Sequence, residues 1–143
     1  EKKFYFGHGC CPIHVATTVS EVEAAFSAHP EALLLAHAEC PEAVRSRAAS
    51  VGPTAGMIAF AERSDAREFL VATEAGTLYE LGRRCPGKRF FPTRADFLCA
   101  DMKKITPAAL ENVFAGGGTP VEVDEEIAQR ARRALMRMLE LAK

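Results

Sequence analysis

The chain has 143 residues, 18 basic against 19 acidic, with a formal net charge of −1, so nothing in the total charge marks a nucleic-acid or polyanion surface. Its longest apolar runs, such as Glu31-Ala-Leu-Leu-Leu-Ala-His37, are far too short to span a bilayer, while the length suits one domain with a real core. Five cysteines is an odd number, adjacent Cys10 and Cys11 cannot form an ordinary unstrained disulfide, and no secretory signal is visible, so reduced thiols in a cytoplasm are expected. The opening Glu1-Lys2-Lys3, without a methionine, reads as the start of an excised piece or a processed chain.

In chain order, Phe4-Tyr5-Phe6 predicts a short buried strand ended by Gly7-His8-Gly9. Ser20 with Glu23 three residues on forms a capping-box signature for a helix that runs to Ala28 and stops before Pro30. The continuous apolar run Ala32–Ala36 suits a strand buried on both faces. A helix then starts at Pro41, and Ala49-Ser50-Val51 is a short strand closed by Gly52-Pro53. Thr54 caps a helix through Met57-Ile58-Ala59-Phe60-Ala61. Glu68-Phe69-Leu70-Val71-Ala72, β-branched and aromatic in its middle, is a strand. Leu78–Leu81 is helical, Cys85-Pro86-Gly87 breaks it, and Lys88–Phe91 returns to strand. Thr106-Pro107 opens a helix to Phe114, ended by Gly116-Gly117-Gly118. After an extended Val121-Glu122-Val123, Asp124 caps a final helix to Leu141 whose Ile127, Ala131, Ala134, Leu135, Met138 and Leu141 keep helical spacing. Its arginines read as the polar side of an amphipathic packing helix rather than a nucleic-acid reader.

Strands alternating with helices in this way predict an α/β, three-layer αβα domain with a mainly parallel sheet, whose ligands bind beyond the carboxyl ends of the strands. The reactive side chains fall there repeatedly: Cys10, Cys11 and His14, then His37, Glu39 and Cys40, then Thr54, then Thr73 and Glu74, and finally Cys99. Cys11 and Cys99 sit in polar, turn-prone segments, and two such thiols with histidines and a glutamate between them suggest a metal-centred site. Each residue also has a structural alternative: His14 as a loop brace, His37 as a satisfied core histidine, Glu39 and Thr54 as helix caps, Lys103-Lys104 as a solvated pair.

The ordered set Gly9-Cys10-Cys11-Pro12-Ile13-His14, His29-Pro30-Glu31-Ala32 leading into Ala36-His37-Ala38-Glu39-Cys40, Gly52-Pro53-Thr54-Ala55-Gly56-Met57, Ala72-Thr73-Glu74 and Cys99-Ala100-Asp101-Met102-Lys103-Lys104-Ile105-Thr106 resembles the quinolinate synthase family over essentially the whole chain. The resemblance implies a fold of three similar α/β repeats about a pseudo-threefold axis, each giving one cysteine to a central 4Fe-4S cluster, with Cys11 and Cys99 as two of the three metal ligands. The chain then looks like the C-terminal portion: residues 1–14 end the preceding repeat and carry a cluster loop, 15–103 form one repeat, and 104–143 a helical tail. The first repeat's cysteine would lie upstream of Glu1. The implied activity is a transferase-type condensation of iminoaspartate with dihydroxyacetone phosphate to quinolinate in cytoplasmic NAD biosynthesis, with the open iron as Lewis acid and no membrane or nucleic-acid partner. His14, His37, Glu39 and Thr54 fall on substrate-contacting positions, with Glu39 for proton transfer and the histidines for binding carboxylate or polarising a carbonyl. Activity is expected only with the missing N-terminal repeats. The chain reads His37-Ala38-Glu39 where the family usually has His-Pro-Glu, sparing both side chains, and Pro53 where the family usually has a serine, which removes a hydroxyl. Cys40 matches a position where cysteine is common but is not a ligand. Other readings are a non-catalytic remnant or accessory subunit of the fold, and a thiol enzyme or zinc site built from the same cysteine and histidine groups.

Overall fold

A computed structural model describes residues 9–142 of the chain, and the strand expected at Phe4–Phe6 lies outside the described residues. The chain divides into two compact units, with the boundary between Lys104 and Ile105.

Among the described residues the first unit holds four strands, β1 (Leu33–His37), β2 (Ser50–Gly52), β3 (Glu68–Ala72) and β4 (Arg89–Pro92), in the order β2-β1-β3-β4. Among the described residues all three pairings are parallel, in line with the expected parallel sheet. Parallel neighbours need crossover connections, and the helices that supply them are α3 (Glu42–Arg45), α4 (Thr54–Arg63) and α5 (Thr77–Arg84), while α2 (Val19–Ala28) leads into β1. A further turn of helix, α1 (Pro12–Val15), forms where no element was predicted: proline at its first position fits the helical φ, and the His14 and Val15 amides both bond the Cys11 carbonyl at 3.1 Å.

Side-chain alternation along β1 and β3 divides the core between the two faces. Leu34, Ala36, Leu70 and Ala72 pack with Val22 and Val44, under α2 and α3. Leu35, Phe69 and Val71 pack with Met57, Ile58, Ala61 and Leu81, under α4 and α5. The register Leu34↔Leu70, Leu35↔Val71, Ala36↔Ala72 keeps each pair on one face, and this is the layered αβα arrangement that the apolar runs imply.

Three local expectations change. The capping box forms two residues earlier in the chain than Ser20 and Glu23: the extended backbone of Thr18 lets its hydroxyl accept the Glu21 amide at 3.3 Å, while the Glu21 carboxylate accepts the Thr18 amide at 2.8 Å. Ser20 is already inside the helix. Thr54 is the first residue of α4 rather than its cap, that position being Pro53, so its hydroxyl is not committed to the helix end. Pro41 stands at the cap position of α3, which is a single turn.

The second unit holds α6 (Pro107–Phe114), capped by Thr106, and α7 (Glu125–Leu141), capped by Asp124 through the Ile127 amide at 3.1 Å. Gly116 and Gly118, at φ 86° and 103°, occupy the left-handed region that lets the chain leave α6. Val121–Val123 joins no strand, and neither helix buries a side chain.

Phe69 is fully buried at the centre of the sheet. Phe69→Ala is expected to cost about 3–5 kcal/mol of unfolding free energy, read from a shifted denaturant midpoint at constant slope.

Candidate active site at the carboxyl edge of the sheet

In the order β2-β1-β3-β4 the chain leaves β1 to one side and later returns to the other, so the topological switch point falls between β1 and β3. The crossover connections diverge there and leave a crevice beyond the strand ends. His37 ends β1, Glu39 follows it, and Thr73 and Glu74 follow β3.

His14, carried by α1, is buried to 8% exposure and bridges the two strand ends. Its Nδ1 lies 2.9 Å from Glu39 Oε2 and its Nε2 lies 3.0 Å from Thr73 Oγ1. A carboxylate only accepts, so Nδ1 carries the proton; in the neutral ring Nε2 then accepts from the Thr73 hydroxyl. The His37 ring stacks on His14 at 3.8 Å between centroids, 17° from parallel. The Glu39 amide donates to His37 Nδ1 at 3.3 Å, which places the proton of the neutral ring on Nε2. Glu39 Oε2 stands 3.5 Å from that same Nδ1.

These contacts set the charges. Burial, with the adjacent His14, pushes the His37 imidazole below its ordinary value against the pull of Glu39, so the ring is neutral at pH 7. The hydrogen bond from His14 holds the Glu39 carboxyl below the usual carboxylate range against the opposing effect of burial, with the Cys11 amide and the His37 ring also lowering it. Glu39 therefore stands ready as a carboxylate.

A cavity of about 420 Å³ opens on this group, lined by His14, His37, Thr54, Thr73, Glu74, Gly76, Thr77, Glu80, Met102 and Lys103. His14, His37 and Thr54 thus share one cavity, and Glu39 meets it through the two histidines. The Glu39 side chain goes to His14 rather than capping α3, and His37 keeps a fifth of its side chain exposed. Sequence reasoning named Thr73, Glu74 and Lys103 without giving them a place in the site. Thr73 is the second anchor of His14, and Lys103 is no merely solvated cation, since its Nζ lies 2.9 Å from buried Glu74. The position of Thr73 and Glu74 at a strand's carboxyl end was the signal.

The five cysteines separate by environment. Cys40 and Cys85 are buried in the two core clusters, and burial pushes both thiols up; Cys40 also donates to the Ala72 carbonyl at 3.4 Å. Cys10, Cys11 and Cys99 are free and at least partly exposed. Cys11, His14 and Glu39 each offer a ligand atom within 4.8 Å of the others, a set able to hold a metal ion. Cys99 lies outside that trio, in the loop before the turn Met102–Lys104.

A parallel open sheet with imidazole, carboxylate and thiol groups gathered at its switch point defines an α/β protein with a polar crevice at the edge where such sheets place ligands. A family model described as quinolinate synthetase A protein matches residues 1–140. A quinolinate synthase of Methanoregula boonei is 40% identical over 141 residues, covering 99% of this chain and 47% of that protein. One of Caldicellulosiruptor saccharolyticus is 39% identical, covering 99% and 47%, and one of Pyrococcus horikoshii is 40% identical, covering 94% and 44%. The chain belongs to the quinolinate synthetase A protein family, and it spans a little under half the length of the curated relatives it matches. Among the described residues no helix is long and apolar enough to cross a membrane.

Nuclear magnetic resonance titration of His37 is expected to show an inflection below the 6.5 of a free imidazole, and Glu39→Gln to lower it further by removing the one neighbour that favours the cation. Both His37 and Glu39 have depressed folded values, so the unfolded chain binds more protons. Their contributions to stability are present above the unfolded values and are lost as pH falls through the folded ones. A His37 inflection above 6.5 contradicts this assignment.

Proposed function

We propose that this chain forms part of the active site of a quinolinate synthase, a transferase-type enzyme condensing iminoaspartate with dihydroxyacetone phosphate in cytoplasmic NAD biosynthesis, and that it acts together with the remaining repeats of the full-length protein. The observation that carries the reading is the Glu39–His14–Thr73 bridge with His37 stacked on it at the sheet's switch point, in a chain of this family.

The donor chemistry fits a share of a 4Fe-4S cluster. Cys11 and Cys99 are free, partly exposed thiols in loops of one unit, whereas Cys40 and Cys85 are protonated core thiols. Cys11 and Cys99 would hold two corners, and the third cysteine would come from another repeat. When bound, the cluster supplies an iron with an open position, a Lewis acid toward a substrate oxygen.

The chain's own groups supply the rest. The His37 Nε2–H donates to a substrate carboxylate or carbonyl, and the stack on His14 fixes the direction of that bond. Thr54, free of a capping role, adds a hydroxyl donor to the cavity lining. Glu39 accepts a proton from substrate, with the His14 Nδ1–H stabilising the carboxylate before transfer. A second reading, a mononuclear metal such as zinc held by Cys11, His14 and Glu39, is favoured by the mutual closeness of those three ligand atoms.

Anaerobic purification of the full-length protein carrying this chain, with iron, sulfide and quinolinate measured, tests the proposal. About four iron per chain are expected, with cluster lost in Cys11→Ser and Cys99→Ser. Glu39→Gln is expected to keep the cluster and lose about 10²–10⁴-fold in quinolinate formation. A cluster that survives both serine variants overturns the reading, and zinc with full activity in air establishes the second one.

A further inference from the structure

The carboxylate of Glu74 is buried although it lies outside the His14–Glu39 bridge. Its side chain is only 8% exposed, and burial alone would favour the neutral acid. Instead it is surrounded by donors: the Gly76 amide reaches Oε2 at 2.6 Å, and Lys103 Nζ lies 2.9 Å from Oε1, off the hydrogen-bonding direction. Lys103 in turn belongs to the loop that carries Cys99, since its amide donates to the Cys99 carbonyl at 3.2 Å. The other end of that loop is tied to the same strand end, with the Ala75 amide donating to the Phe97 carbonyl at 2.7 Å and Phe97 itself fully buried. Gly76 keeps the space open: a Cβ there would stand 2.7 Å from Glu74 Oε2 and 3.4 Å from Lys103 Nζ.

We propose that Glu74 and Lys103 form a latch that positions the Cys99 loop against the carboxyl end of β3. Phe97 before the cysteine and Lys103 after it are both fastened to residues 74–75, so the thiol is held between two fixed points. The ion pair is the only charged one of these fastenings among the described residues, and it forms a wall of the cavity. Glu74 and Lys103 are positioning residues that act through Cys99. The latch rests on the reading of Cys99 as a cluster ligand for its purpose, but its geometry is independent of the cluster.

The test is the rate of iodoacetamide labelling at each cysteine of the full-length protein carrying this chain, chelator-stripped under argon and resolved by peptide mass spectrometry. Glu74→Gln and Lys103→Met are each expected to speed Cys99 labelling about fivefold, the scale of a partly exposed ion pair released into local opening. The double variant should be no faster than either single one, Lys103→Arg should restore the slow rate, and buried Cys40 and Cys85 should stay protected throughout. Unchanged Cys99 labelling in both single variants overturns the latch, as does an equal rise at Cys40 and Cys85, which marks loosening of the whole sheet. Should Glu74→Gln not fold, Lys103→Met carries the comparison, because that side chain is half exposed. A wild-type protein that takes up no iron removes the proposed cluster role while the labelling result still decides the latch.

Discussion

The parallel pairing of β1 with β3 is the constraint on which the rest of this structure depends. Two parallel strands cannot be joined by a tight turn, so the chain between them crosses the sheet through helices, and both sheet faces become covered. The same constraint brings the carboxyl ends of the strands to one edge. Because β2 is laid down beside β1 before β3 takes the other side, the loops at that edge separate between β1 and β3. A polar cluster there lies beyond the packed layers, and its groups interact with one another.

His14 shows what such a place does to a side chain. A buried imidazole without partners would cost free energy, and here both ring nitrogens are matched, one by a carboxylate beyond β1 and one by a hydroxyl beyond β3. The bridge therefore ties together two loops whose strands are already paired. His37, stacked on it and neutral, retains a donor for a ligand, while Glu39 remains charged at the rim. Charge, tautomer and direction follow from one small network, and removing any member changes the others.

Much of the fold was legible because it depends on local pattern. The apolar run at 32–36 has no polar residue to place outward, so burial on both faces followed from composition, and the strand at 68–72 was marked by its β-branched and aromatic middle. Helix ends were less legible. Thr18 and Ser20 each stand three residues before a glutamate, and only the extended backbone at Thr18 made that residue the cap. Thr54 was misread for a similar reason: a threonine after proline resembles a cap in sequence, but the turn into α4 begins at Pro53. The short helix at Pro12–Val15 has too few residues for any periodic signal.

The site divides in the same way. The sequence by itself determined the residue types, their order and their place after strands, which was enough to single out Cys11, His14, His37, Glu39, Thr54 and Cys99 and to point to the family. Tertiary structure alone decided who touches whom: that His14 is 25 residues from Glu39 and 59 from Thr73 along the chain yet bonded to both, and that Lys103 turns inward to Glu74 while Lys104 pairs with exposed Asp101. It also separated the cysteines, sending Cys40 and Cys85 into the core and leaving Cys11 beside His14 and Glu39. The physical reason is that secondary-structure signals act over a few residues, whereas hydrogen bonding and burial at a strand edge are set by which strands become neighbours.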